Sequence, residues 1–467
     1  MEEYDVLVIG SGSGARIASR AIRAGLRTAL VEKGALGGTC VNTGCIPSKM
    51  LVSPADEIVR LASGSRLGIR AAVEALDFSL IMRRMRQKRE QDQAFTRWWI
   101  ESNRDLLVFY GSPGRFTGDM TFAVDSVEIH ADRIFICTGA RPRVPAVRGL
   151  DRVPFLTNES LLDLEEPPES LAIIGGGYIA VEYAHFFAAI GTRVTILQRN
   201  PRLVPEEEPL VSDLLLWKLR SRMTVLTGVE VTGVSEEAGD IRVDGKDRDT
   251  GQSRSVTASA LLVATGRTSN ADMLDLSRTG VRTGPGGYIE VNDFLETSRK
   301  GIWAIGDAIG RQMFRHAANL EVELAWHNAT HPGDKRPMPF DAVPHAVYTY
   351  PPIASIGLTV EQAQDRFRDQ PGRVLTGTAF YRDTARGIAI GEEEGFAMAV
   401  ADGETGRILG FHIIGPEAPL LIQEISNLVM QGLPYSRLQG IHIHPSLSEL
   451  VPAALRHLKK GEEGWRV

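Results

Sequence analysis

Cysteine is scarce, with three in 467 residues. That excludes a disulfide-stapled secreted scaffold and points to a reducing, cytoplasmic setting. A long apolar run is missing as well. Nothing approaches the roughly 18 residues a spanning helix needs, so no membrane segment is expected. The N-terminus, MEEYDVLVIG, is acidic and passes straight into a strand pattern, which is not how a signal peptide reads. Positive charge is not concentrated. Lys and Arg number 52 against 58 Asp and Glu, spread along the chain without a basic tail, for a net charge of −6. Nucleic acid and membrane surfaces are therefore poor partners. No low-complexity tract is present. The length exceeds one ordinary core and calls for several domains.

Against that scarcity, two cysteines stand together in GGTCVNTGCIPSK, residues 37–49: Cys40 and Cys45. In a reducing compartment a close pair is more often catalytic or metal-binding than structural. A metal site would need a second pair, and none follows. Cys137 lies inside an apolar strand and reads as a small buried hydrophobe. No metal site is assigned.

The chain repeats a unit. YDVLVIG is an apolar strand, GSGSGA a glycine turn leading into a helix, and RTALVEK a second strand. Gly10, Gly12, Gly14 and Ala15 fit GxGxxA, in which glycine allows a tight turn and close approach of backbone to a pyrophosphate at a helix N-terminus. Glu32, next to Lys33 at the end of the second strand, has the spacing of a carboxylate that takes ribose hydroxyls. SLAIIGG, GGYIAVEYAHFFAAIG and TRVTILQR repeat the pattern at 170–199, with Gly175, Gly177, Tyr178 and Ile179 in the second cradle. There the position of Glu32 is taken by Gln198, followed by Arg199. A carboxylate would repel a 2′-phosphate and an arginine would pair with it, so this site is expected to take NADPH rather than NADH. Two segments rhyme, IFICTGA (134–140) with Thr138 and Gly139, and LLVATGR (261–267) with Gly266 and Arg267. Two dinucleotide sites in one chain suggest FAD plus a nicotinamide cofactor.

The expected fold is α/β, with two Rossmann-like domains and a C-terminal α+β domain. The first nucleotide domain is expected at 1–147 and 270–338, the second inserted at 148–269, and the last at 339–467. Residues 51–104 read as largely helical. RRMRQKREQDQ within them reads as a solvated helix face. Trp98 and Trp99, in FTRWWIES, are expected to pack in a helix interface, with a docking patch as the alternative.

Over essentially its whole length the sequence resembles the flavin-dependent pyridine nucleotide–disulfide reductases, whose members include dihydrolipoamide, glutathione, mercuric and mycothione enzymes. GGTCVNTGCIPSK is among the most specific signatures of that family. The resemblance implies that Cys40 is the interchange thiol and Cys45 the flavin-facing thiol, with Gly38 and Thr39 beside the cofactor. It places Lys49 near the flavin and makes Glu182 its acidic partner. It makes Tyr178 the ring that shields the flavin until nicotinamide enters, and Asp307, in GIWAIGDA, the ribityl-binding acid. Near the C-terminus stands HIHPSLSELV. Histidine suits proton transfer to and from thiols near neutrality, and a carboxylate on its other nitrogen would orient the ring. His444 and Glu449 supply such a pair, while His442 reads as structural. In the family this histidine reaches the partner subunit's site, which implies a homodimer with the last domain as its dimerisation unit. The substrate implied is a low-molecular-weight disulfide, since several segments look most like mycothione reductase. The alternatives are a dihydrolipoamide dehydrogenase serving a lipoyl-protein partner, or a mercuric reductase-like metal-ion reductase. The latter is disfavoured because no cysteine follows Cys137.

Overall fold

The computed structural model describes residues 1–460; residues 461–467 of the expected C-terminal unit lie outside the described residues. The first sheet is built on parallel strands in the order Leu107–Tyr110, Thr28–Val31, Glu2–Ile9 and Val127–Ile136. A hairpin, Gly114–Gly118 and Thr121–Val124, extends it antiparallel. Ile302–Ala304 also pairs in parallel with Val127–Ile136, so a distant part of the chain returns to the same sheet. These strands are continuous apolar runs because both faces are covered. Helix α1 (Gly14–Arg23) covers one with Ile17, Ala18 and Ala21, all fully buried.

Two helices then carry the cysteines: the short α2 (Gly38–Asn42) holds Cys40, and the long α3 (Cys45–Ala62) starts at Cys45. Helix α4 (Phe78–Ser102) follows. The stretch expected to be largely helical is interrupted at residues 68–77, where Gly68 takes a left-handed φ of +78° and stops the short turn before it. The charged run lies on α4 with Met82 and Met85 turned inward. The tryptophan expectation needs correction. Trp99 packs against the first core, but Trp98 is 59% exposed beside Phe95, ring centroids 5.6 Å apart. Neighbouring helical positions point about 100° apart, and at this level of α4 only the Trp99 side meets the core.

The second sheet repeats the first in miniature. Thr224–Thr227, Arg193–Gln198, Ser170–Ile174 and Ala260–Val263 run parallel in that order. Helix α5 (Tyr178–Ala189) is buried along most of its length, and α6 (Pro209–Arg220) follows the second crossover. A three-stranded antiparallel meander spans Val229–Ala258. Helix α7 (Arg315–Thr330) follows the return to the first sheet. The C-terminal part forms a six-stranded sheet, antiparallel throughout, flanked by Ala418–Met430 and Leu450–Arg456.

The duplication is visible in atomic detail. In each nucleotide unit the first cradle glycine has positive φ, +105° at Gly10 and +120° at Gly175. A Cβ at Gly10 would stand 2.3 Å from the Cys137 carbonyl oxygen, and one at Gly175 would stand 2.2 Å from that of Ala264. Those carbonyls open the two rhyming segments, Cys-Thr-Gly and Ala-Thr-Gly. The rhyme thus marks the strand end that passes under each cradle, where only glycine fits.

Candidate active site

The cysteine turn packs backbone to backbone on the first cradle. A Cβ at Gly38 would lie 2.6 Å from Gly12 Cα. Asn42 ties the turn together by donating to the Leu36 and Gly38 carbonyls, each at 3.0 Å. Cys45 opens α3, and Lys49 lies one turn further on the same face. Lys49 Nζ is 2.8 Å from both oxygens of Glu182 on α5 and 4.5 Å from the centre of the Tyr348 ring. Glu182 also accepts the Tyr348 N–H at 2.9 Å.

Both cysteines are free thiols that face one cavity. Hydrogen bonding between them splits their acidities. The Cys40 thiol donates to Cys45 and lowers Cys45 to about 7, helped by the Lys49 ammonium and opposed by burial. Cys40 is pushed well up by the same bond and by burial, with Arg315 and Lys49 pulling the other way. In the dithiol state Cys45 is therefore the first of the two to give up its proton, while Cys40 keeps its own.

The cavity, about 810 Å³, is walled by Gly10, Gly12, Glu32, Lys33, Thr39 and Gly38, and further along by Thr138, Gly139, Ile179, Tyr178, Arg267 and Asp307. Gly14 and Ala15 stand behind it, opening α1. Glu32 accepts Ser11 N–H at 2.8 Å, Ser11 Oγ–H at 2.9 Å and Gly34 N–H at 2.9 Å, which fixes it at the strand end. Lys33 Nζ is held at Met273 Sδ, 2.9 Å away. Thr138 Oγ1 and Arg267 Nε are buried without a hydrogen-bond partner, and both belong to this wall. Asp307 is raised by burial, against the pull of Arg267, whose Nε lies 3.4 Å away. A cradle where only glycine fits, the unpaired buried hydroxyl of Thr138 and a fixed carboxylate at the strand end fit an adenine dinucleotide with a flavin.

The second cavity, about 1060 Å³, brings together Gly175, Gly177, Tyr178, Ile179, Gly266 and Arg267, with Gln198 and Arg199 at the end of the strand. Gln198 is buried and donates to the Arg202 carbonyl at 3.3 Å. Arg199 is exposed and forms no ion pair among the described residues. Arg202, by contrast, is paired with Asp213 at 3.0 Å.

His444 and Glu449 are placed together but apart from both cavities. His444 Nδ1–H donates to Glu449 Oε1 at 3.0 Å, and Glu449 also accepts Ser446 N–H at 3.1 Å. The Glu449 carboxyl is lowered by His444 first, then by that N–H. The His444 side chain is 71% exposed. His442 is turned to Glu424, with Nε2 3.2 Å from each oxygen.

The sequence reading missed three groups. His345 Nε2–H donates to Glu207 at 2.7 Å. His185 bridges Asp56, at 2.8 Å, and Arg222, at 2.9 Å. Phe314 lines both cavities. His185 had a legible signal, since it follows Glu182 by three positions on one helix face. The others come from loops whose meeting no local pattern encodes. Among the described residues, no cluster of three or more His, Cys, Asp or Glu side chains is arranged to hold a metal ion. No helix among them is long and apolar enough to cross a membrane.

Residues 4–329 match the pyridine nucleotide-disulphide oxidoreductase family, and residues 343–455 match its dimerisation domain. The chain belongs to this family. It is 35% identical to a mercuric reductase of Lysinibacillus sphaericus over 92% of this chain and 78% of that one. It is 35% identical to a dihydrolipoyl dehydrogenase of Chlorobaculum parvum over 97% and 96%. It is 32% identical to a mycothione reductase of Mycobacterium tuberculosis over 98% and 100%. Among solved structures it is similar to the HOCl-induced flavoprotein disulfide reductase RclA from Escherichia coli, with TM-score 0.85 and 27% identity over 98% of this chain and 99% of that one. As a family member the chain is an FAD-type oxidoreductase that uses a pyridine nucleotide and acts on sulfur groups.

Proposed function

We propose that this enzyme uses NADPH to reduce the disulfide of a low-molecular-weight thiol, as in the mycothione reductases it is similar to. The observation that carries the nucleotide choice is the strand end at Gln198–Arg199. Gln198 stands where the first unit has the carboxylate Glu32, and Arg199 beside it is an exposed guanidinium without an ion-pair partner among the described residues, which suits a 2′-phosphate.

Gly10, Gly12, Glu32, Thr138 and Asp307 would hold FAD, which supplies two-electron transfer between the nucleotide and the cysteine pair. The chain's own residues then do the following. With the pair reduced, a base takes the proton from Cys40. The Cys40 thiolate attacks one sulfur of the substrate disulfide, forming a mixed disulfide and expelling one thiolate. His444 of the partner subunit, oriented by the partner's Glu449, accepts the first proton and returns it to that leaving thiolate. Cys45, the more acidic of the two thiols, attacks Cys40 sulfur as its thiolate, closes the Cys40–Cys45 disulfide and releases the second thiolate, which takes its proton from solvent. One substrate disulfide becomes two thiols, and the dithiol becomes a disulfide. Exposure of His444 in the single chain, away from its own cysteine cavity, supports transfer between subunits.

The test is anaerobic reduction by NADPH and separately by NADH, followed by addition of small disulfides, lipoamide and mercuric ion. Fast reoxidation by one small disulfide, with NADPH preferred, supports the proposal. Preference for NADH with efficient lipoamide turnover overturns it. That outcome would favour a lipoyl-protein partner, for which the exposed Phe95–Trp98 pair is the structural feature to test.

A further inference from the structure

The two cavities share a wall formed by Tyr178, Ile179, Arg267, Met313 and Phe314. Phe314, just before α7, is held in an unusual way. Its ring lies nearly parallel to two imidazoles, His316 at 5.6 Å and 12° and His345 at 5.4 Å and 10°. Tyr178 leans on the same ring, centroids 6.2 Å apart at 45°. His316 borders the cysteine cavity and His345 borders the second cavity, so the stack passes through the partition.

Both imidazoles are pinned. His316 Nε2–H donates to the Pro344 carbonyl at 2.5 Å. His345 Nε2–H donates to Glu207, whose other oxygen accepts Ser355 Oγ–H at 2.6 Å. Glu207 is buried. Pro344 directly precedes His345, so both clamps belong to one stretch of chain. Parallel rings gain modestly from stacking, and hydrogen bonds at both ends remove the rotations that would spoil it. Cysteine exchange and phosphate binding use neither imidazole.

We propose that Phe314 is the second ring of the gate formed with Tyr178, and that His316 and Glu207-bound His345 are positioning residues that fix it where the reacting ring of the nucleotide seats against the partition. The inference rests on the second cavity receiving a pyridine nucleotide and does not depend on which disulfide is reduced. A wall that sets the approach of two reacting rings matters strongly, because displacement by about 1 Å can cost a hundredfold in rate.

The test uses FAD-loaded Phe314→Ala, Phe314→Tyr, His345→Gln and His316→Gln. Calorimetry measures NADP⁺ binding to the oxidised protein, and anaerobic rapid mixing measures each half-reaction. For Phe314→Ala and His345→Gln, the limiting rate of reduction by NADPH should fall at least about tenfold and NADP⁺ should bind about threefold or more weakly. Reoxidation of the reduced protein by disulfide should stay within about twofold, and Phe314→Tyr should keep most of the reduction rate. Unchanged reduction and binding in Phe314→Ala overturns the proposal. An equal fall in both half-reactions also overturns it and assigns the stack a general structural role. If Phe314→Ala does not retain FAD, His316→Gln, altered at an exposed ring, decides: reduction slowed about threefold or more supports the proposal, and an unchanged rate overturns it. If the unaltered protein is reduced by neither nucleotide, the functional reading fails and this inference falls with it, whereas normal reduction of the unaltered protein with an unaffected Phe314→Ala overturns this inference alone.

Discussion

Lys49 Nζ sits equidistant, at 2.8 Å, from the two oxygens of the Glu182 carboxylate, one helical turn beyond Cys45. The pair joins the cysteine helix α3 to α5 of the second nucleotide unit. It also decides how much positive charge Cys45 feels. Lys49→Met removes a cation that lowers the thiol, so Cys45 should titrate higher than in the unaltered protein. Glu182→Gln leaves the ammonium uncompensated and should shift Cys45 the other way. The rate of alkylation of the dithiol form against pH measures both. The same midpoint in all three proteins would show that Lys49 does not tune the thiol.

The two cysteines should respond differently to loss of the other. The strongest influence lowering Cys45 is the bond from the Cys40 thiol. Cys40→Ala should therefore raise the Cys45 midpoint, whereas Cys40→Ser, which keeps a donor, should raise it less. Cys45→Ser should bring Cys40 down from its elevated value, because the anion that held its proton is gone. Both serine variants should lose disulfide turnover while keeping FAD. Thiolate absorbance followed over a pH series checks the order.

If His444 serves the partner subunit, mixed dimers must complement. Dimers of Cys40→Ser and His444→Gln contain one site with both functional groups and one with neither. Random reassortment makes about half the dimers mixed, so about a quarter of wild-type turnover should return from two inactive parents. Within a single chain, neither parent supplies a complete site and no activity would return. Glu449→Gln, which weakens orientation of the ring, should lower turnover less than His444→Gln and shift the pH profile.

Much of this arrangement was legible because its signals are local. Gly10 and Gly175 mark turns that no side chain can occupy, and the Cys-Thr-Gly and Ala-Thr-Gly segments mark the strands beneath them. The proximity of Cys40, Cys45 and Lys49 follows from spacing on two consecutive helices. Partners that meet through tertiary packing were not legible from pattern alone. Glu207 lies 138 residues from His345, and Asp56 lies 129 from His185. Trp98 misled for a different reason: burial tendency belongs to a residue type, whereas exposure on α4 is set by which side of the helix meets the core at that level.

The Glu207–His345 pair gives the fold a pH dependence whose sign follows from the two environments. Burial disfavours the His345 imidazolium, but the Glu207 carboxylate 2.7 Å away outweighs it and raises the histidine. A raised histidine contributes stability fully below its unfolded value, about 6.5, and loses it as pH rises through the folded value. Burial likewise works against the Glu207 anion, while His345 and Ser355 together lower it. A lowered carboxylate contributes above its unfolded value, about 4.3, and loses that contribution as pH falls through the folded value. The pair is thus strongest between roughly pH 4.5 and 6.5. His345→Gln keeps a donor for Glu207 without the charge, so its melting temperature should fall furthest below wild type in that window and approach it near pH 9. Glu207→Ala should cost more at every pH, about 3 kcal/mol, because it leaves buried donors on His345 and Ser355 without an acceptor. A difference between wild type and His345→Gln that is flat from pH 5 to 9 would mean that the imidazole is neutral throughout and that Glu207 binds it as an ordinary donor.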